Sequence, residues 1–146
     1  MNCKKGFTLL EVLLVIVIIS TIMIPVYPTV ERQYQYYLLE QEAQKLATFL
    51  ERSRQQAILE KRRTVVRFYV SSFPNSYGLR DEVNIVERHY LPDDISLYQN
   101  IASNNLIEFG SLGNVRPAGG TIRLTNSYGQ SKEIIIHLFS GIIEVR

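Results

Sequence analysis

The sequence predicts an α+β chain, with a long N-terminal helix packed on a mainly antiparallel β-sheet. Three observations carry this. From Phe7 to Val26 run 20 residues in which Glu11 is the only charge. From Glu31 to about Arg63 apolar residues recur at helical spacing. From Thr64 onward, short β-branched and aromatic runs alternate with glycine, proline, asparagine and aspartate.

The first run, as a helix, is about 30 Å long, near the thickness of a bilayer's hydrocarbon core. An isolated ionised carboxylate in lipid costs from ~3 to more than 10 kcal/mol, so Glu11 calls for a partner. A secretory signal peptide needs small residues at its cleavage site, and no alanine precedes Ala43. A soluble core helix rarely runs this far without a polar face. A plain membrane anchor leaves both Glu11 and the Gly6–Phe7 junction unexplained.

The stretch KGFTLLEVLLVIVIIS resembles the N-terminus of type IV pilins and pseudopilins. That resemblance implies a leader peptide, residues 1–6, cut by a prepilin peptidase between Gly6 and Phe7, with methylation of the new Phe7 α-amine. It implies that Glu11 neutralises the N-terminal amine of a neighbouring subunit during filament assembly. The physics is consistent: Lys4 and Lys5 hold the leader in the cytoplasm, and Gly6 presents a bare backbone to the protease. A carboxylate and an ammonium, each costly in lipid, cost less together.

Residues 7–27 then read as the transmembrane and assembly helix. Pro25 and Pro28 each lack the amide that bonds back one turn, so a kink is expected at this edge. Pro28 also falls where pilin helices commonly carry a proline. Tyr27, Tyr34, Tyr36 and Tyr37 suit a headgroup layer or lateral packing between subunits.

Residues 28–63 read as the exposed, amphipathic half of the helix. Leu39, Ala43, Leu46, Ala47, Leu50, Ala57 and Ile58 form its apolar stripe, with Glu40, Gln44, Lys45, Glu51, Arg52 and Gln55 largely off it. No proline falls between Pro28 and Pro74, and no glycine between Gly6 and Gly78. The helix end is basic: Arg52, Arg54, Lys61, Arg62, Arg63, then Arg67. Cations near a helix C-terminus complement its dipole. The competing reading is a set of DNA-phosphate contacts, which the interleaved Glu51 and Glu60 weaken.

Residues 64–146 form the β-sheet head. Strands are expected at 64–70, 77–80, 83–90, 95–98, 106–109, 121–125, 133–139 and 142–146. Ser140-Gly141 would close the last two as a two-residue hairpin. The apolar residues on both sides of 133–139 predict a strand buried on both faces. The segment GSLGNVRPAGG, Gly110 to Gly120, reads as an ordered loop. Pro74-Asn75 and Pro92 with Asp93 and Asp94 mark turns.

The head resembles a pilin-type domain, and segments such as TVVRFYV, IEFGSLGNVRPAGGTIRL and GIIEVR are similar to minor pseudopilins of Gram-positive competence systems. The resemblance implies a structural subunit of a filament for DNA uptake. Its partners would be major and other minor pseudopilins, a prepilin peptidase, a platform membrane protein and an assembly ATPase. The chain would sit in the cell membrane by a single pass, N-terminus cytoplasmic and head outside, reaching the cell surface in the filament. A minor pseudopilin of type II secretion is the nearest alternative. A DNA-binding module using the Arg52–Arg67 group is another.

Composition excludes little else. Without Lys4 and Lys5, fourteen basic side chains face fourteen acidic ones, so bulk charge gives no argument for nucleic acid. The single cysteine, Cys3, lies in the leader, leaving no thiol for a disulfide or metal site in the mature chain. His89 and His137 sit in strand-like runs without a ligand cluster near them in sequence. No phosphate-binding loop, nucleophile elbow or dinucleotide fingerprint occurs. The chain is expected to be an enzyme's substrate and not an enzyme, with no catalytic, metal or cofactor site.

Overall fold

A computed structural model describes residues 8–81, 84–101, 104–116 and 119–146, with only the backbone described at 24–26 and at 81. The leader, the Gly6–Phe7 junction and the ring of Pro25 lie outside this description, as does Val83 at the expected start of one strand. The chain divides into two compact units, Met1–Tyr34 and Gln35–Arg146.

Helix α1 runs Leu9–Leu59, and its backbone stays helical through Pro28. Among the described residues no single helix is long and apolar enough to cross a membrane. Leu9–Met23 and Tyr27–Leu59 pass that test only as a pair, by length and composition. The helix stops four residues before Arg63. Lys61 takes a positive φ of 52°, turning the chain toward the first strand where no glycine is on hand to do so.

In the second unit, the α1 side chains Leu39, Ala43, Leu46, Leu50 and Ala57 are fully buried, as the stripe predicts. Phe49 is buried too, beside the stripe, whereas Ile58 is partly exposed. Nine strands follow: β1 Thr64–Tyr69, β2 Ser76–Asp81, β3 Asn84–Tyr90, β4 Ile95–Ile101, β5 Leu106–Phe109, β6 Val115–Arg116, β7 Gly120–Asn126, β8 Ser131–Ile136 and β9 Ile143–Val145. They form two antiparallel sheets in place of the one expected, ordered β3-β2-β1-β5-β6 and β4-β7-β8-β9. The short β6 sits inside the stretch expected to be loop. Val115 is buried there and pairs with Phe109.

Alternation places one face of each sheet in a single apolar core. Val66, Phe68, Tyr77, Leu79, Ile107 and Phe109 come from the first sheet. Ile95, Leu97, Ile122, Leu124, Ile134 and Ile136 come from the second. Fully burying one such side chain contributes ~1.5–3 kcal/mol. Asn75 ties the sheets: its Nδ2 donates to the Val70 and Ser72 carbonyls at 3.0 Å each, and its Oδ1 accepts the Leu97 amide at 2.8 Å. The turn predicted at Pro74-Asn75 is therefore also a clasp.

Two expectations near the C-terminus are corrected. The strand expected at 133–139 ends at Ile136 and is fully buried on one face only: Ile134 and Ile136 point inward, Glu133 and Ile135 are partly exposed, and Leu138 and Phe139, beyond the strand, are 40% and 81% exposed. The closing hairpin is wider than two residues. The His137 amide bonds the Ile142 carbonyl and the Gly141 amide bonds the His137 carbonyl, with Phe139 and Gly141 both at positive φ. The His137–Ile142 bond leaves a four-residue loop, 138–141, between the paired ends.

Candidate functional site

The first unit presents an apolar helix surface with one acid on it. Thr8 caps α1: its Oγ1 accepts the Glu11 amide at 3.3 Å, and its carbonyl accepts the same amide at 3.1 Å. Thr-x-x-Glu is a capping-box spacing, a helix-start signal the sequence reading passed over. Glu11 thus sits in the first turn, where the helix dipole favours a negative charge. Leu9, Leu13, Ile16, Ile22 and Met23 are all more than half exposed. So long an apolar surface marks a membrane or protein contact.

The polar groups of this segment divide into satisfied and unsatisfied. Ser20 and Thr21 donate to the Ile16 and Val17 carbonyls, at 2.8 Å each, so both hydroxyls are spent within the helix. Among the described residues, the Glu11 carboxylate has neither hydrogen bond nor ion pair. It is an acceptor offered outward from a surface that otherwise offers only hydrocarbon.

The basic group splits up. The last turn of α1 holds no basic residue; Lys61, Arg62 and Arg63 lie beyond it, which removes most of their expected role at the helix dipole. Arg52 approaches Glu87 at 3.5 Å, Arg62 pairs with Glu60, and Arg63 reaches Glu108 at 3.8 Å. Glu60 is held below the usual carboxylate range by hydrogen bonds from Gln56 and Arg62. Arg54 does something else. Its guanidinium donates to the Gly113 carbonyl at 3.0 Å, to the Ser140 carbonyl at 3.1 Å and to Glu51 at 3.1 Å. It fastens the helix to two loops and is only 24% exposed. Arg67 stands apart on β1, with its guanidinium 5.7 Å from the Tyr69 ring centre.

His89 lies in a groove of about 470 Å³ between α1 and the β2–β3 edge. Its ring packs with Phe49 and Tyr77 at 5.2 and 5.5 Å, and its Nε2 is 2.9 Å from Glu87 Oε1. Burial, then the nearby Glu42 and Glu87 charges, raises the Tyr77 phenol well above its ordinary value. His137 Nε2 lies 3.4 Å from Glu144, whose carboxyl is lowered by hydrogen bonds from Arg146 and then His137. Neither histidine joins a cluster: among the described residues no three His, Cys, Asp or Glu side chains are placed to hold a metal ion. The Pro92 carbonyl accepts the Ile95 amide at 2.9 Å, closing the turn that carries Asp93 and Asp94. Asp94 Oδ2 accepts a 3.4 Å bond from Gln35.

Comparison with known proteins places these features together. The family model for the prokaryotic N-terminal methylation motif matches residues 1–27. The competence protein ComGD of Bacillus subtilis (strain 168) is 29% identical over 145 residues, 99% of this chain and 95% of that protein. In fold, the chain is similar to the minor pseudopilin EpsH from the type 2 secretion system of Vibrio cholerae. The TM-score is 0.61 at 13% identity, over 74% of this chain and 95% of EpsH. The type IV minor pilin FimU of Pseudomonas aeruginosa aligns equally well, with a TM-score of 0.61 at 14% identity, over 74% of this chain and 92% of FimU. The fold is pilin-like α+β, and the N-terminus carries the methylation motif.

Proposed function

We propose that this chain is a minor pseudopilin, a structural subunit of a type IV pilus-like filament that serves DNA uptake in natural transformation. The observation that carries the reading is the Glu11 carboxylate, without a partner among the described residues, in an exposed apolar helix inside a segment matched by the methylation motif. Residues 1–6 form the leader, 7–27 the membrane and assembly helix, 28–63 the exposed half-helix and 64–146 the head. A prepilin peptidase cuts after Gly6 and methylates Phe7. Major and other minor pseudopilins, with a platform membrane protein and an assembly ATPase, are the partners. Before assembly the chain crosses the membrane once, N-terminus inside and head outside. Similarity to ComGD along nearly the whole chain supports competence as the setting.

A second reading, a minor pseudopilin of type II secretion, is favoured by the shared fold with EpsH. Deleting the gene in its host and complementing it separates the two. Competence predicts lost transformation with normal secretion; the reverse pattern supports secretion. Complementation with Gly6→Val tests processing, because a branched side chain at the scissile junction should leave a slower-migrating precursor in the membrane and no transformation. Normal cleavage of that variant would contradict the processing step.

A further inference from the structure

Among the described residues, three arginines that lack carboxylate partners lie on one face of the five-stranded sheet. Strand register defines this face, the one turned away from the core. One row across it reads Leu106–Arg67–Gly78–Arg88, and a second Tyr69–Ser76–Tyr90. A third row includes Arg116 opposite Glu108. Among the described residues, Arg67, Arg88 and Arg116 form no ion pair. By contrast Arg52, Arg54, Arg62, Arg63, Arg123 and Arg146 each have a carboxylate partner.

Arg88 is held ready. Its guanidinium lies 4.2 Å from the Tyr69 ring centre and 4.9 Å from that of Tyr90. Its Nε and Nη2 donate to Ser76 Oγ at 3.0 and 2.8 Å. A fully buried serine and two rings therefore fix the fork without neutralising its charge. Gly78, between Arg67 and Arg88, keeps the floor of the row low. A Cβ there would lie 2.5 Å from the Glu87 carbonyl oxygen. The two arginines are two strands apart, about 10 Å. Tyr90 is 60% exposed and offers a ring at the edge of the same face.

We propose that the outer face of this sheet is a nucleic-acid contact surface. Arg67, Arg88 and Arg116 hold the phosphodiester backbone of DNA, and Tyr90 provides a stacking ring. Guanidinium forks suit phosphate oxygens, and a flat sheet face with arginine and exposed tyrosine is a form that single strands use for stacking and backbone tracking. Glu108, the acid in the third row, pairs with Arg63, so Arg67, Arg88 and Arg116 keep their charge, while Arg52, Arg54, Arg62 and Arg63 are spent on protein carboxylates and carbonyls. The surface adds a direct DNA contact to the pseudopilin reading without depending on it.

The test is fluorescence anisotropy of a labelled oligonucleotide, single- or double-stranded, with the full chain in detergent. Affinity should fall between 50 and 200 mM salt as phosphate counterions return. Arg67→Ala with Arg88→Ala should weaken binding at least about tenfold at low salt and flatten the salt dependence by one to two phosphate contacts. Arg116→Glu, on an exposed strand end away from the core, should weaken it too even if the double variant misfolds. Arg52→Ala should bind as the unaltered chain does. No salt-sensitive binding, unchanged affinity in both Arg67/Arg88 and Arg116 variants, or equal competition by poly-glutamate would each overturn the proposal. Processing after Gly6 is read in the same variants. Intact processing with no DNA binding removes this surface and leaves the pseudopilin reading standing.

Discussion

Glu11→Val is expected to abolish incorporation into the filament while leaving the chain inserted in the membrane and cut after Gly6. Thr8 still caps the helix, since the bonds it accepts come from the backbone amide of residue 11. What disappears is the one charge among exposed apolar side chains. A lone carboxylate in lipid costs ~3 kcal/mol on translocon-insertion scales and more on others. A subunit whose acid meets a neighbour's amine is thus favoured in the filament over diffusing alone by an amount of that order, and valine removes this preference. Co-purification with the other pilins and transformation frequency measure it. Normal levels of both in the Glu11→Val strain would refute the charge-pairing account.

Gly141→Ala is expected to destabilise the head by about 2–4 kcal/mol, the sum of a left-handed backbone forced on an L-residue and a direct clash. Gly141 has φ of 65°, and a Cβ there would lie 2.2 Å from the Gly113 carbonyl oxygen and 2.9 Å from Arg54 Nε. To relieve this, Arg54 must release the loop carbonyls it holds. Gly129→Ala is the control: φ is 75°, with nothing within 4 Å of the added carbon. It should cost only ~1–2 kcal/mol, the backbone part. Denaturation of the full chain in detergent compares the two. Equal losses would show that the Arg54 contacts contribute nothing measurable.

Local periodicity made much of this fold readable. The Leu39–Leu50 stripe needs only helical spacing, and β5, Leu106–Phe109, falls on the residues expected for it. The division into two sheets was not readable, because it depends on which strands meet across long intervals. β1 pairs with β5 across the whole of β2 to β4. Strand β6 was hidden by its glycine-rich surroundings, where a single buried valine outweighs local turn propensity. At the helix end, the row of cations from Arg52 to Arg67 suggested a single patch. The structure sends Arg54 into the loops at Gly113 and Ser140, and Arg67 onto the sheet beside Arg88, 21 positions along the chain, a neighbour that only strand register reveals. The N-terminal segment was legible because its chemistry is local: a glycine junction, an aromatic after it and one acid in a run of hydrocarbon.

The most direct test of the central claim is the intact mass of the chain isolated from its host membrane. The account predicts that residues 1–6 are gone and that the chain begins at a methylated Phe7. A mass that retains Met1 through Gly6, in cells with an active prepilin peptidase, would contradict it.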